Sequence, residues 1–229
     1  MTDPDVPARE RILRAVLDLL REGGADAVST RAVTARAGVQ APAIYRQFGD
    51  KDGLLDAAAE RALTDWVAHK STGAAPSDPV EALRSGWDDA VQFGLDQPDA
   101  YRIAYARTDR GPAVRWGHDL LREKILAVAR AGRLAVPAGR AQSLMQATNR
   151  GVVLTLLDTP VADRDPGLSA LARESTLTAI TTDAPSRDAS PAAAATALQA
   201  LLPESTALVP AERQLLHVWL ERIATDAAP

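Results

Sequence analysis

Apolar residues recur at intervals of three and four along almost the whole chain. The first stripe is formed by Ile12, Leu13, Val16, Leu17 and Leu20. This spacing places apolar side chains on one face of an α-helix, whereas a half-buried strand would alternate them every second residue. Runs of β-branched residues are short and alanine is abundant. The pattern therefore predicts an all-α protein.

Helix-ending and helix-capping residues divide the N-terminal region into short pieces. Gly23 and Gly24 follow the first stripe, where a helix end favours a left-handed residue. Ser29 or Thr30 can cap a second helix, and Gly38 supplies a tight turn after it. Gly49 ends the third helix and Asp50 can cap the fourth. The predicted helices span residues 8–22, about 30–37, 41–48 and about 51–70.

Proline and glycine also separate the predicted helices of the remaining chain. These helices span about residues 79–96, 98–107, 112–132, 138–158, 167–181, 191–202 and 210–226. Loops are expected at 71–79 and 182–191. We interpret residues 1–50 as an N-terminal three-helix head and residues 51–229 as a larger helical bundle.

Composition narrows the classes of function. The 229-residue chain is 46% hydrophobic, enough for a sizeable core, and its net charge of −4 argues against binding polyanions over its whole surface. It contains no cysteine, which excludes disulfides, thiolate nucleophiles and cysteine-ligated zinc. No 18 consecutive apolar residues and no signal-like N-terminus occur, so we expect a cytoplasmic protein without a membrane partner.

The short second and third helices carry an excess of positive charge. Residues 28–51 contain four basic residues and one acid, a net charge of +3 in an acidic chain. Those residues are Arg31, Arg36, Arg46, Lys51 and the acid Asp50. Two short helices joined by a glycine turn form a helix-turn-helix, whose second helix can enter the major groove of DNA. Phosphate neutralisation by such a local basic face supplies much of the affinity for DNA.

The apolar pattern also predicts which residues of this unit face solvent. The residues expected to be buried are Val33, Ala37, Val39, Ile44 and Phe48. Those expected to be more exposed are Gln40, Ala41, Ala43, Tyr45, Arg46 and Gln47. Tyr45 beside Arg46 suits a groove-reading surface, with Arg46 equally suited to a base edge or a phosphate. The alternative interpretation is a plain helical hairpin with a solvated basic face.

Residues 8–60 resemble the TetR family of transcriptional regulators. The resemblance is carried by Ser29-Thr30-Arg31, Ala37-Gly38-Val39, Ile44-Tyr45-Arg46-Gln47-Phe48 and Lys51-Asp52-Gly53-Leu54-Leu55. It implies that Thr30 and Lys51 face phosphates, and that Gln40, Ala41, Tyr45 and Arg46 lie at or near the groove, with Arg31 among the DNA-binding residues.

Three positions of this segment bear on the base preference. Gln40 stands where the family usually has serine and Gln47 where it often has histidine, and Pro42 removes a backbone N–H.

Large aromatic residues concentrate in the first part of the bundle. Six of the nine aromatic residues lie between the fourth and seventh predicted helices. They are Trp66, Trp87, Phe93, Tyr101, Tyr105 and Trp116. Rings in an alanine-rich bundle can wall a cavity, and the resemblance implies an effector pocket in this region. His118 and Asn149 are candidate polar contacts to a small-molecule effector of unspecified class. The alternative is that the rings fill core volume.

Two late helices carry faces that suit self-association. Ala147, Thr148, Gly151 and Thr155 form a narrow face that lets another helix approach. The last helix carries an apolar stripe of Leu215, Leu216, Trp219 and Ile223. Family members usually dimerise through two late helices of each subunit, although packing within one chain is an equal alternative for each face here.

These patterns together predict a DNA-binding transcriptional regulator, and the resemblance implies that it is a ligand-responsive repressor that binds a near-palindromic operator as a homodimer. An activator on the same fold and a helical adaptor without DNA binding are the alternatives. The three histidines are far apart in sequence, and no metalloprotease, nucleophile-elbow or phosphate-loop motif occurs. We therefore expect no catalytic residues, no metal site and no cofactor.

Overall fold

Helices account for nearly all regular structure in the computed structural model, which describes residues 7–70, 76–106, 112–183, 191–204 and 206–225. The α-helices are α1 Ala8–Ala27, α2 Thr30–Ala37, α3 Ala41–Phe48, α4 Lys51–Lys70, α5 Pro79–Asp96, α6 Pro98–Ala106, α7 Pro112–Arg130, α8 Ala138–Asp158, α9 Leu168–Ile180, α10 Pro191–Leu201 and α11 Pro210–Thr225. Short 3₁₀ helices follow α8 and α10. Within the described ranges, one isolated bridge between Leu134 and Thr181 is the only β pairing. The all-α prediction is confirmed.

The predicted helix boundaries agree with the structure within two residues, except at the end of α1. There the helical assignment continues to Ala27, but Gly23 and Gly24 have non-helical backbone angles and Gly24 has a φ of 65°. The regular helix therefore breaks where the glycine pair predicts it. Predicted residues 107 and 226, and parts of both predicted loops, lie outside the described residues.

The chain divides into two compact units. The first contains Met1–Ala74 and Gln92–Gly117. In it, α1 packs against α2, α4 and α6, and α4 also packs against α6. Ile12, Val16, Val33 and Ala58 are completely buried in this unit. Helix α1 is thus its central element.

The second unit contains Ala75–Val91 and His118–Pro229. Helices α8 and α9 pack together, and α10 packs against α11. The α10–α11 hairpin has a small apolar core of its own. This core contains Ala195, Leu202, Leu220 and Ala224, with the partly buried Leu208 and Leu216 packed against it. The functional boundary proposed at residue 50 stays a prediction.

Candidate nucleic-acid interface

The turn between α2 and α3 has the geometry that its residues favour. Ser29 caps α2, because its Oγ accepts a hydrogen bond from Ala32 N at 3.2 Å. Gly38 follows α2 in the left-handed region, with φ 64° and ψ 41°, and its N–H donates to Thr34 O. A side chain at that position would strain the backbone by about 1 kcal/mol or more. Gly38 therefore fixes the direction in which α3 leaves the turn.

Apolar contacts hold α3 in place. Ile44 is buried on α3, as are Val33 and Ala37 on α2, in agreement with the sequence prediction. Val39 and Phe48 were predicted to be buried but are only half-buried. Phe48 lies near the start of α1, where the Arg9 guanidinium stacks 4.9 Å from its ring centroid. The cation covers the outer face of the ring, an arrangement that helical periodicity does not reveal.

The outer face of α3 presents polar and aromatic side chains. Tyr45 is 52% exposed, and Gln40 and Arg46 are also exposed, as predicted. Ala41, Ala43 and Gln47 are half-buried rather than fully exposed. The Tyr45 hydroxyl lies 3.3 Å from Thr30 Oγ1 at the start of α2. This contact links the exposed side of α3 to the N-terminus of α2.

The first turn of α3 has few free backbone donors. Gln40 is its N-cap residue but makes no side-chain capping hydrogen bond, and Pro42 occupies the first turn. A proline has no N–H to donate. Exposed side chains, rather than the α3 N-terminus, therefore provide most of the hydrogen-bonding capacity of this surface.

Ion pairing changes the charge predicted for this surface. Arg36 donates two hydrogen bonds to the Glu22 carboxylate, both 2.8 Å long. The hydrogen bonds from Arg36 lower the pKa of Glu22, so the carboxylate stays ionised and offsets the arginine charge. The sequence count included Arg36 but not Glu22, which lies outside the segment counted. The cations left for a polyanion are Arg31, Arg46 and Lys51.

These three cations occupy different helices. Arg31 is in the first turn of α2 and Arg46 near the end of α3, and both are exposed. Lys51 begins α4, where its Nζ lies 3.5 Å from Ala25 O, at the limit of a hydrogen bond. Asp50 caps α4 by accepting a hydrogen bond from Gly53 N at 2.8 Å. The single acid of residues 28–51 therefore caps a helix, while Arg31, Arg46 and Lys51 remain at the surface.

Comparison with known proteins places this region in a family. The sequence pattern that defines bacterial regulatory proteins of the tetR family matches residues 12–58. The N-terminal head of this chain belongs to the TetR family. The class A tetracycline repressor protein from transposon 1721 of Escherichia coli is 48% identical over 58 residues, which are 25% of this chain and 27% of the repressor. The similarity in sequence thus spans little more than a quarter of that relative's length.

Solved structures extend the likeness of fold beyond the TetR-family head. A TetR-family transcription regulator from Shewanella sp. PV-4 has a TM-score of 0.59 at 18% identity, covering 77% of this chain and all of that one. A TetR from Acinetobacter baumannii AYE, solved in complex with minocycline, has a TM-score of 0.55 at 24% identity and covers 73% of this chain and 90% of its own. At these identities the likeness establishes the fold.

Outside the TetR-family head, the candidate ligand residues fall into two groups. Trp66, Phe93, Tyr101 and Tyr105 belong to the first unit and form a continuous string of rings. Successive ring centroids along the string are 6.0, 6.3 and 4.5 Å apart. Trp116 belongs to the same unit but is 37% exposed, and no ring contact joins it to the string among the described residues. Four of these five rings therefore form one cluster.

The second group, Trp87, His118 and Asn149, belongs to the second unit. Trp87 is 2% exposed and donates its indole N–H to Ser169 Oγ at 3.1 Å. Asn149 Nδ2 donates to the Trp87 carbonyl oxygen at 3.3 Å. The predicted polar contact Asn149 is therefore engaged with the predicted aromatic Trp87.

Helix α8 presents two further glutamines that sequence reasoning missed. Gln142 donates to the His118 carbonyl oxygen at 3.1 Å. Gln146 Nε2 is buried and has no hydrogen-bond partner among the described residues. Residues 142, 146 and 149 follow one another at intervals of four and three, so they share one face of α8. This spacing of polar residues is the signal in the sequence that could have identified the polar face of α8.

The two predicted self-association faces differ in character. On α8, Ala147, Gly151 and Thr155 are exposed, whereas Thr148 is half-buried and its hydroxyl bonds back to Leu144 O. On α11, Leu215, Trp219 and Ile223 are exposed. Leu216 instead joins the hairpin core. The α8 face is thus narrow and built of small side chains, and the α11 face is bulky and apolar.

One further observation concerns the length and apolar character of the helices. Among the helices of the described ranges, none combines the length and the apolar character needed to cross a membrane.

Proposed function

We propose that this chain is a sequence-specific DNA-binding transcriptional regulator that acts as a ligand-responsive repressor. The observation that carries this proposal is the exposed pair Tyr45 and Arg46 on a short helix whose direction is set by Gly38. A bulky aromatic side chain left half in solvent gains little stability for the fold, whereas beside an arginine it can contact base edges.

Each predicted DNA-binding residue has a proposed role on this surface. Arg46 and Tyr45 read the groove, with Gln40 and Ala41 at its edge. Thr30, Arg31 and Lys51 position the head by contacting phosphates. Thr30 and Lys51 begin α2 and α4, and helix N-termini favour anions. Contacts of this second kind fix register and orientation without reading sequence.

The active form is proposed to be a homodimer on a near-palindromic operator. A two-fold dimer presents its recognition helices to half-sites about 34 Å apart, one turn of the duplex. An effector that binds better to a conformation with another head separation shifts the population away from DNA. Derepression then needs no contact between effector and DNA.

Helix α4 offers a route for that coupling within the first unit. It begins at Lys51 on the DNA-facing side and carries Trp66, which contacts Phe93 in the ring string. The string of aromatic rings that includes Trp66 and Phe93 suits a small-molecule effector with apolar surface. Within the first unit, the residues proposed to contact an effector are Trp66, Phe93, Tyr101, Tyr105 and Trp116. Trp87, His118 and Asn149 are proposed ligand residues of the second unit.

A binding-site selection on random duplex DNA tests the central proposal. Wild-type protein should enrich a near-palindrome in low salt. Arg46→Ala should enrich a weaker or more degenerate sequence, because it removes a side chain from the reading surface. If the wild-type protein enriches no sequence while remaining folded and helical, the proposed function is wrong.

A further inference from the structure

The last helix leaves an apolar face without a partner inside the described chain. Helix α11 buries Leu220 and Ala224 against α10, yet Leu215, Trp219 and Ile223 remain 48%, 50% and 44% exposed. These three residues follow one another at intervals of four, so they form one stripe along the helix. A contiguous apolar stripe that includes tryptophan is unusual on a free surface and marks an interaction site.

Charged residues flank Leu215 and Trp219 on both sides along this face of α11. Glu212 and Arg222 are exposed. The order Glu212, Leu215, Trp219, Arg222 has spacings of three, four and three residues. At about 100° per residue, these four residues fall within an arc of about 80°. The surface therefore has a negative end, an apolar centre and a positive end, with spacings that are symmetric about its midpoint.

From this pattern we propose that α11 packs in an antiparallel pair against α11 of a second copy of this chain. A two-fold axis near residue 217 would bring Glu212 opposite the second copy's Arg222, and Leu215 opposite its Trp219. Each contact would then occur twice, as an isologous interface requires. The inference rests on the proposed homodimer and assigns that dimer a helix and a register.

The side chains of α11 are compatible with this pairing. Glu212 accepts a hydrogen bond from Val209 N through Oε2 at 3.0 Å, which leaves its other carboxylate oxygen to accept from an arginine. His217, at the midpoint of the helix, lies on another side, where Gln199 of α10 contacts its ring. The axis would therefore pass between Leu215 and Trp219 without displacing the hairpin core.

Charge order favours a second copy in the antiparallel direction as the occupant. A parallel pair would place Glu212 beside Glu212 and Arg222 beside Arg222, and like charges at an interface are unfavourable. The exposed α8 stripe also ends in charges of opposite sign, Arg140 and Asp158, but its centre of Ala147, Gly151 and Thr155 offers less apolar area to bury than Leu215 and Trp219. Leu171 on α9 is 70% exposed, so α9 is the alternative self-association surface that the tests must distinguish from α11.

The absence of cysteine from the chain permits a direct test of the register. A chain carrying Leu215→Cys is mixed with a differently tagged chain carrying Trp219→Cys, and both are oxidised mildly. Facing residues come within disulfide reach, whereas residue 215 and its own copy would be offset by about 6 Å along the helix axes. We expect a disulfide-linked dimer in the mixture and at least about tenfold less in either variant alone. Equal cross-linking of all samples, or none in the mixture, would overturn the proposal.

Sedimentation of charge variants of the full chain supplies an independent readout. Glu212→Arg and Arg222→Glu should each weaken self-association by about tenfold, and the double variant should recover most of it. Glu221→Arg, an exposed charge reversal elsewhere on α11, should leave association unchanged. Loss of association in Leu171→Glu but not in Trp219→Glu would assign the interface to α9 and contradict the inference.

The result of the α11 cross-linking test can be distinguished from the result of the DNA selection. Cross-linking at 215 and 219 without any enriched DNA would leave the α11 interface standing and remove the proposed function. An enriched palindrome without this cross-link would do the reverse.

Discussion

The head and the helical remainder differ in how their candidate functional residues relate to the core. In the head, Tyr45 and Arg46 protrude from a helix that is held from beneath by Ile44. In the remainder, candidates such as Trp87, Phe93 and Tyr101 are themselves buried. The side chains proposed to read the groove and the core side chain thus occupy opposite faces of α3. A ring that lines a pocket and a ring that only fills the core can both be buried, so burial does not distinguish them.

This difference explains why the two regions respond differently to sequence reasoning. An exposed tyrosine on a short amphipathic helix departs from the apolar pattern, so the pattern itself singles it out. A buried tryptophan obeys the pattern, and its function cannot be separated from its packing without an experiment. The predictions below test that contrast, in descending order of expected effect.

Removal of a buried candidate in the remainder should cost much stability. Trp87→Ala should lower the free energy of unfolding by about 3–5 kcal/mol, because it leaves a cavity and removes the hydrogen bond to Ser169. Urea unfolding followed by circular dichroism measures it. Trp116→Ala, at a 37% exposed ring, is the matched control and should cost less than about 1 kcal/mol. Similar losses for both would erase the contrast between buried and exposed candidates.

Salt should weaken binding to the selected DNA steeply. Arg31 and Lys51 in each of two subunits correspond to about four phosphate contacts, and Arg46 would add two if it contacts phosphate. The affinity should therefore fall about a hundredfold to a thousandfold between 50 and 200 mM salt. Fluorescence anisotropy with a labelled duplex measures this slope. The double variant Glu22→Gln with Arg36→Gln should keep it, since that pair is already neutral. A clearly shallower slope in the double variant would mean that Arg36 contacts DNA.

Loss of the recognition arginine should have an intermediate effect. Arg46→Ala should reduce affinity for the selected site by about tenfold to a hundredfold per half-site, with little change in stability because the side chain is exposed. Affinities for matched and mismatched sites distinguish its two possible roles. Relaxed discrimination at one base pair indicates a base contact, whereas a uniform loss with a shallower salt slope indicates a phosphate contact. An unchanged affinity would remove Arg46 from the interface.

Acid should remove a smaller contribution from the second unit. Hydrogen bonds from Arg84 and then Arg173 lower the pKa of Glu174 from 4.5 to about 2. Because the folded pKa is depressed, the contribution is complete above about pH 4.5 and is lost as the pH falls through about 2. Glu174→Gln should cost about 1 kcal/mol at pH 7, since the carboxylate is nearly half exposed and screened.

Urea midpoints measured at intervals from pH 7 to pH 3 follow this difference, which should narrow below pH 4.5. Glu123→Gln, at an exposed acid on α7, serves as the control. A gap between wild type and Glu174→Gln that widens in acid would contradict the assignment.

Local signals accounted for most of the helical fold. Ser29, Gly38 and Asp50 act through hydrogen bonds or backbone angles within a few residues, and each has the role that its sequence position predicts. The pairing of Arg36 with Glu22 joins residues 14 apart, and that of Arg84 with Glu174 joins residues 90 apart. Such pairs depend on how helices pack, so the neutralisation of Arg36 on the α2–α3 surface could not be predicted from the sequence.

The candidate ligand set shows the same limit. Proximity in sequence grouped six aromatic residues, but Trp87 and Phe93 fall in different units although both are on α5. Sequence spacing predicts the face of a helix, yet it does not say which neighbours that face meets along its length.

The composition of the first unit has a consequence for recombining such proteins. Helix α6, distant in sequence, packs on α1 and α4 within the first unit. A chimera that exchanges only residues 1–50 would carry Tyr45 and Arg46 but would separate α1 from its own packing partners α4 and α6. Exchanging 1–74 together with 92–117 would transfer the unit intact. The part of this chain that must be exchanged to transfer the proposed DNA specificity would then consist of two separate sequence segments, with residues of the second unit between them.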